Sequence, residues 1–450
     1  MLALALCGSA FVACFIAARR SLVQGLAALL AVGYAYGIVR ANVPSPASHF
    51  LFDAGVAGLY LALWMRPARP IDRYRTGGLI PWVVCLTAWP AFLFFVPMQD
   101  PLVQLVGLRG QIMFLPFLLI GALLTGQELQ ALALWVAALN IAVFGFAGAE
   151  WILGVQRFYP LNAVTRIIYS STDVARGSSA MRIPATFVQS AAYAGTMVMT
   201  MPLLIGLVGR RIRTGWHRYL TLAALLATVL GVFMAASRTA AVVLIGIGLA
   251  LTLSGRLKGR AWLAWVAIAA CAGYLVYTQP SLQRFTTLKD TSYVGARVHG
   301  SVNEWFLNDA ADYPLGNGLG GGGTSLPYFL QGRVINRVVM ENEYARIMLE
   351  QGIPGLALWL AFIGWLLTRP LGRRNDPWYL PRWLARLTCG AYFATAVTGT
   401  GLLTSIPETA LLLLLAGWSV ARQPAAVKIP ATANRRVKRA NSPMVRRYGW

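Results

Sequence analysis

The 450-residue chain is 57% hydrophobic and only 12% charged, and its 39 lysines and arginines against 15 acidic residues give a formal net charge of +24. Soluble domains carry about a quarter charged residues, so an ordinary soluble globule is excluded and length says little about domain number. Such a charge would suggest nucleic acid in a soluble protein, but here the basic residues fall mostly in short connections between apolar runs, which makes the partner a lipid bilayer and not nucleic acid.

A helix needs about 17–25 mostly apolar residues to cross a bilayer. Runs of this kind fall at 1–18, 22–39, 50–65, 79–96, 111–125 and 129–153, then at 187–208, 219–236, 239–254 and 261–278, and finally at 353–368, 383–399 and 406–421. The expected fold class is therefore all-α, a polytopic membrane protein of 12–13 transmembrane helices. Several runs contain proline (Pro90, Pro116, Pro202), which membrane helices tolerate where neighbours satisfy the freed carbonyls. The first run has no basic segment before it and is followed by Arg19 and Arg20. A cleaved signal has the opposite polarity, so this reads as a retained helix.

Orientation follows from the basic residues of the short loops. Arg66, Arg69, Arg73 and Arg75 share one connection and Arg210, Arg211, Arg213 and Arg218 another; Arg256, Lys258 and Arg260 form a third, and Arg369, Arg373, Arg374, Arg382 and Arg386 a fourth. These alternate with poorly basic loops and belong on the cytoplasmic side. Two hydrophilic stretches, 156–185 and about 279–352, then face the periplasm or exterior. Residues 1–186 make up the N-terminal helices and first periplasmic loop. Residues 187–421 form the core with the large loop, and 422–450 a Pro/Ala/Arg-rich tail that reads as a disordered basic arm on anionic lipid.

The large loop has internal structure. Residues 294–311 show helical spacing, with Val298, Val302, Trp305 and Phe306 on one stripe. A glycine-rich turn follows at 314–323, then a second helix over 340–351, stopped by Gly352 and Pro354. Two amphipathic helices of this kind would lie flat on the membrane and roof a cavity. The glycine run lacks a closing Gly-Lys-Ser/Thr and a preceding strand, so it is not a phosphate-binding loop. It reads as a hinge or a place of close backbone approach.

The chemistry-bearing residues cluster on the face opposite the basic loops. Arg238 stands between two apolar runs, where an arginine either snorkels or marks function. Arg182 precedes the run at 187–208, and Arg297 opens the first loop helix with His299 and Glu304 nearby. Arg182 and Arg297 each read alone as a solvated or salt-bridged loop residue; together with Arg238 they offer three guanidinium forks, which suit a diphosphate better than lysine would. Glu341 stands at the entry to the second loop helix, as a dipole-favoured cap or as a general base. His49 and His217 look incidental. The five cysteines (Cys7, Cys14, Cys85, Cys271, Cys389) lie inside apolar segments without ligand spacing, so neither disulfide nor metal nor cofactor is expected.

Four motifs occur in one order: Arg182-Ile-Pro-Ala-Thr-Phe, Ser237-Arg-Thr-Ala, Arg297 ahead of Pro314-Leu-Gly-Asn-Gly-Leu-Gly, and Glu341-Asn-Glu-Tyr with Glu350-Gln-Gly-Ile-Pro-Gly. Over about 182–367 this resembles the O-antigen ligase/polymerase superfamily of bacterial envelope glycosyltransferases. The resemblance implies a GT-C-like helical fold in the inner membrane with a periplasmic active face and a cytoplasmic tail. It also implies metal-free transfer of glycan from an undecaprenyl-diphosphate-linked donor to a glycan acceptor. Arg182, Arg238 and Arg297 would grip the diphosphate, Asn342, Tyr344 and Glu304 would complete the substrate contacts, and Glu341 would act as base beside Arg238 and Arg297. Ligases of this family usually show His-Asn where this chain has Glu341-Asn342, and glutamate there looks more like some polymerases. The expected function is polymerisation of lipid-linked repeat units. The alternatives are ligation to lipid A core or to a protein and, from another class, transport of the same lipid-linked sugar; a transporter should show charges within its spans and related halves, and no internal repeat is found.

Overall fold

The computed structural model describes residues 1–67, 69–170, 181–208, 215–254, 270, 273–274, 276–278, 282, 285, 291–296, 306–323, 326–338, 342–372, 374, 376, 378–399 and 401–422. Among them every regular element is a helix. The first part runs α1 (Leu2–Arg20), α2 (Leu22–Asn42), α3 (Leu51–Trp64), α4 (Pro70–Thr76), α5 (Ile80–Leu93), α6 (Pro101–Ile112), α7 (Pro116–Leu123), α8 (Gly126–Leu153) and α9 (Arg166–Ser170). The second runs α10 (Ser190–Val208), α11 (Gly215–Met234), α12 (Arg238–Leu253), α13 (Thr291–Ala296), α14 (Phe306–Asp312), α15 (Glu343–Thr368), α16 (Tyr379–Thr395) and α17 (Glu408–Val420).

Eight helices among the described residues are long and apolar enough to cross a membrane, or nine if the 67° elbow between α4 and α5 is one broken span. The protein is thus a multi-pass membrane protein, all-helical among the described residues. Twelve or thirteen spans are not reached among the described residues, for identifiable reasons. The run at 261–278 lies largely outside them, as does the basic tail from 423 onward. Helices α12 and α17 are apolar but short. The run at 383–399 is α16, which carries Arg382 and Arg386 among its buried residues. The span expected at 111–125 starts earlier, at Pro101, because Asp100 accepts a hydrogen bond from the Leu102 amide at 2.9 Å and proline fits the first helical position.

The larger correction concerns the second loop helix. Instead of lying flat on the membrane, 343–351 is the buried first half of α15, which continues through a break at Gly352 (φ +70°) into the span that follows. The glycine-rich turn is threaded into that break: the Asn317 amide donates to the Leu349 carbonyl at 2.6 Å and the Ile353 amide to the Pro314 carbonyl at 2.9 Å. Gly316 and Gly352 both need positive φ, and a Cβ on either would strike the other segment's backbone. Of the two readings of the glycine run, close backbone approach holds, backbone against backbone.

Small residues let the helices touch. Gly121 of α7 faces the Leu414 carbonyl of α17, and Gly417 of α17 faces the Leu118 carbonyl of α7, so neither position has room for a Cβ. Deeper in the bundle Asn140 of α8 accepts from the Tyr34 hydroxyl at 2.7 Å and donates to the hydroxyls of Thr200 and Thr228, each at 2.8 Å. One amide therefore ties α2, α8, α10 and α11 with every partner satisfied. Gly121→Ala or Gly417→Ala should destabilise by about 1–3 kcal/mol, the range for overpacking, and lower the melting temperature in detergent. Gly145→Ala, where nothing lies within 4 Å, should leave it unchanged or raised.

Candidate functional site

The first half of α15 is held by charge. Arg346, 1% exposed, lies between Glu343 one turn before it and Glu350 one turn after, with ion-pair distances of 2.5 and 2.9 Å. Both carboxylates are themselves bonded to other elements. Glu343 accepts from the amides of Gly401 (2.8 Å) and Leu403 (3.3 Å), and Glu350 accepts from the Gln111 side chain at 2.6 Å. Gln111 in turn accepts from Gln351 at 2.9 Å, whose carbonyl takes the Trp89 indole at 2.8 Å. Gly322 of the glycine-rich turn packs on Arg346 and Glu350. A buried ion pair survives only if its remaining lone pairs are used, and here the 401–403 turn and α6 use them.

At the tip of this half-helix Asn342, not Glu341, is the N-cap: its side-chain oxygen accepts from the amides of Tyr344 (2.8 Å) and Ala345 (3.3 Å). Tyr344 then donates to the Phe393 carbonyl at 2.6 Å. Both residues line a cavity of about 680 Å³ between α15 and α16. Leu356, Leu360, Ile363 and Leu367 form one wall, and Gly390, Phe393, Ala394 and Val397 the other. The spacing on each helix keeps one stripe in line. Leu360 is 50% and Leu367 43% exposed, so the cavity is a groove open along its side.

Arg182 reaches the turn between α11 and α12 that Arg238 follows. The Arg182 side-chain Nε donates to the Ala235 carbonyl at 3.3 Å, and Arg238 is the first residue of α12 after Ser237. The strand of chain carrying Arg182 is fixed from several sides. Glu150, buried near the end of α8, accepts from the Ala185 amide at 2.9 Å. The Tyr159 hydroxyl lies 2.5 and 2.9 Å from the carbonyls of Ala185 and Phe187. Burial, with the Glu150 charge behind it, pushes the Tyr159 phenol well above its ordinary range, so it keeps the proton it donates. The Ile38 amide donates to the Thr186 carbonyl at 3.0 Å. Ala185 accepts a left-handed φ of +50° in this clasp.

Arg182 precedes α10, and the Gly195 carbonyl, just over a turn into α10, accepts from Tyr392 at 3.1 Å, next to Phe393. Arg182, Arg238, Asn342 and Tyr344 therefore lie at one end of the bundle. Arg297, Glu304 and Glu341 lie outside the described residues, as does His299.

Several polar residues of this end were not singled out in the sequence. The Glu343, Arg346 and Glu350 spacing of three and four is the signature of a one-face ion triad and was legible. Asp53 pairs with Arg109 across α3 and α6, which no local pattern announces. The His49 carbonyl accepts from Tyr36 at 2.8 Å, and its ring sits 5.5 Å from those of Tyr328 and Phe329.

No family model matches the chain, and the curated proteins contain no match to it. Arg346→Met should strand two buried carboxylates and destabilise the protein by about 3–5 kcal/mol, seen as loss of folded protein on detergent melting. Glu350→Gln, which keeps a hydrogen-bonding side chain, should cost clearly less.

Proposed function

We propose that the chain is a metal-independent membrane glycosyltransferase with a GT-C-like fold. It would transfer glycan from an undecaprenyl-diphosphate-linked donor to a sugar acceptor on the periplasmic face of a bacterial inner membrane, polymerising repeat units of a surface polysaccharide. The observation that carries this reading is the side-open apolar groove with Asn342 and Tyr344 in its lining, at the same end of the bundle as Arg182 and Arg238. A lipid-linked donor needs such a combination, hydrocarbon contact for its tail and guanidinium contact for its diphosphate.

The chemistry asks little of the protein. The acceptor hydroxyl attacks the anomeric carbon, the bond from that carbon to the phosphate oxygen breaks, and the lipid diphosphate departs with the bonding electrons. Fixed guanidinium groups in a water-poor site stabilise the charge that builds on it. Glu341 takes the hydroxyl proton in this proposal, and Arg297 joins the diphosphate clamp.

Arg238→Ala should lower glycan transfer in membranes by about 10²–10³-fold while the protein stays inserted; full activity would remove the clamp. Glu341→Gln should slow turnover far more than it weakens donor binding, and an unchanged rate would leave that position no catalytic role. Activity should survive EDTA. In cells lacking the gene, short capped repeats would mark a polymerase, whereas full-length polymer stranded on its lipid would mark a ligase.

A further inference from the structure

At the opposite end of the bundle, buried arginines outnumber their carboxylates. Arg382 and Arg386 on the first turns of α16 are 5% and 6% exposed, and Arg75 of α4 is half-buried. Arg382 and Arg75 lie close enough to repel each other, and so do Arg386 and Arg382. Among the described residues the carboxylate paired with this trio is Asp376, 2.8 Å from Arg382. The other partners are neutral helix-end carbonyls: Leu123 for Arg75 at 2.9 Å, Ser419 for Arg386 at 2.8 Å, and Arg369 for Arg386. The Nε groups of Arg75, Arg382 and Arg386 are buried without a hydrogen-bond partner.

Two exposed arginines complete the patch. Arg369 stacks on Trp365 with its guanidinium carbon 4.6 Å from the ring centroid, and Arg422 reaches Gly78, beside the same indole. The Arg422 amide also bonds the Arg75 carbonyl at 3.4 Å. Trp418 lies under Arg382, 5.3 Å from its guanidinium carbon, and packs edge-on against Trp378. Tryptophan and arginine gathered at a helix-bundle end is the composition of a membrane interface, and a basic pocket between membrane helices is suited to lipid phosphate.

We propose that this cluster, Arg75, Arg369, Arg382, Arg386 and Arg422, binds the phosphate headgroup of an anionic membrane lipid, at the end of the bundle away from the candidate transfer site. Arg369 and Arg422 contact the phosphate at the rim, Arg75 reaches it from the side, and the buried pair supplies a fixed positive field behind it. Guanidinium groups bind phosphate oxygens bidentately, through two parallel N–H donors. The inference is independent of the transferase reading, since it concerns different residues and needs no catalysis.

The test is thermal melting of the full-length protein in neutral detergent, titrated with phosphatidylglycerol, with phosphatidylcholine, or with inorganic phosphate. A ligand that binds the folded state raises the melting temperature, so phosphatidylglycerol should raise it and the other two should not. Arg369→Ala/Arg422→Ala alters only exposed side chains and should weaken the lipid midpoint roughly 25-fold, about fivefold per arginine. Arg19→Ala/Arg20→Ala removes the same charge from exposed positions at the end of α1 and should leave the midpoint unchanged. An equal shift with phosphatidylcholine overturns the proposal. So does an equal shift with inorganic phosphate, which would assign the cluster to a free anion, or equal loss in both variants, which would reduce it to diffuse surface charge.

Discussion

The arrangement of one end of this protein depends on a single arginine held between two carboxylates inside an apolar bundle. Arg346, Glu343 and Glu350 are each almost inaccessible, and charges in such a setting are tolerated only when they are paired and otherwise bonded. Their outer bonds determine what else is fixed. Through Glu343 the triad holds the 401–403 turn, through Glu350 and Gln111 it holds α6, and it packs tightly against Gly322. Because these bonds converge on the first half of α15, they also determine where its cap presents Asn342 and Tyr344.

The remainder of the bundle relies on contacts of a different sort. Between apolar helices in lipid there is no hydrophobic drive to associate, and packing and buried hydrogen bonds must substitute for it. Gly121 and Gly417 bring α7 and α17 to backbone contact, and Asn140 joins four helices through side chains alone. Polar residues are thus sorted by depth: a neutral amide hub inside, an ion triad beneath the glycine-rich turn, and unbalanced arginines at the far boundary.

The helical class and the membrane setting could be read from apolar run lengths, since a bilayer imposes a length on every element that crosses it. The glycine run was readable as a close approach of backbone, though not what it approaches, because its partner is the break at Gly352. By local pattern the two halves of α15 look like a surface helix and a separate span. Gly352 and Pro354 are stop signals locally, and only the inserted 314–317 segment explains how the chain passes through them as one bent element. The sequence offers Arg182 and Arg238 as joint ligands of a diphosphate; in the structure the Arg182 side chain bonds the Ala235 carbonyl, three residues before Arg238. Asp53 with Arg109, and Glu150 with the Ala185 amide, join residues far apart in the chain; no periodicity encodes such pairs.

The groove between α15 and α16 has its gap on the flank, with Leu360, Leu367 and Val397 facing outward. If the chain takes a lipid-linked donor as proposed, a slot shaped this way would admit its hydrocarbon tail by sideways diffusion in the plane of the bilayer and let the excess trail away among the acyl chains. Tail length is then a poor basis for choosing among ligands. Under that reading, discrimination would fall to whatever the tail carries, at the level of the polar groups above it.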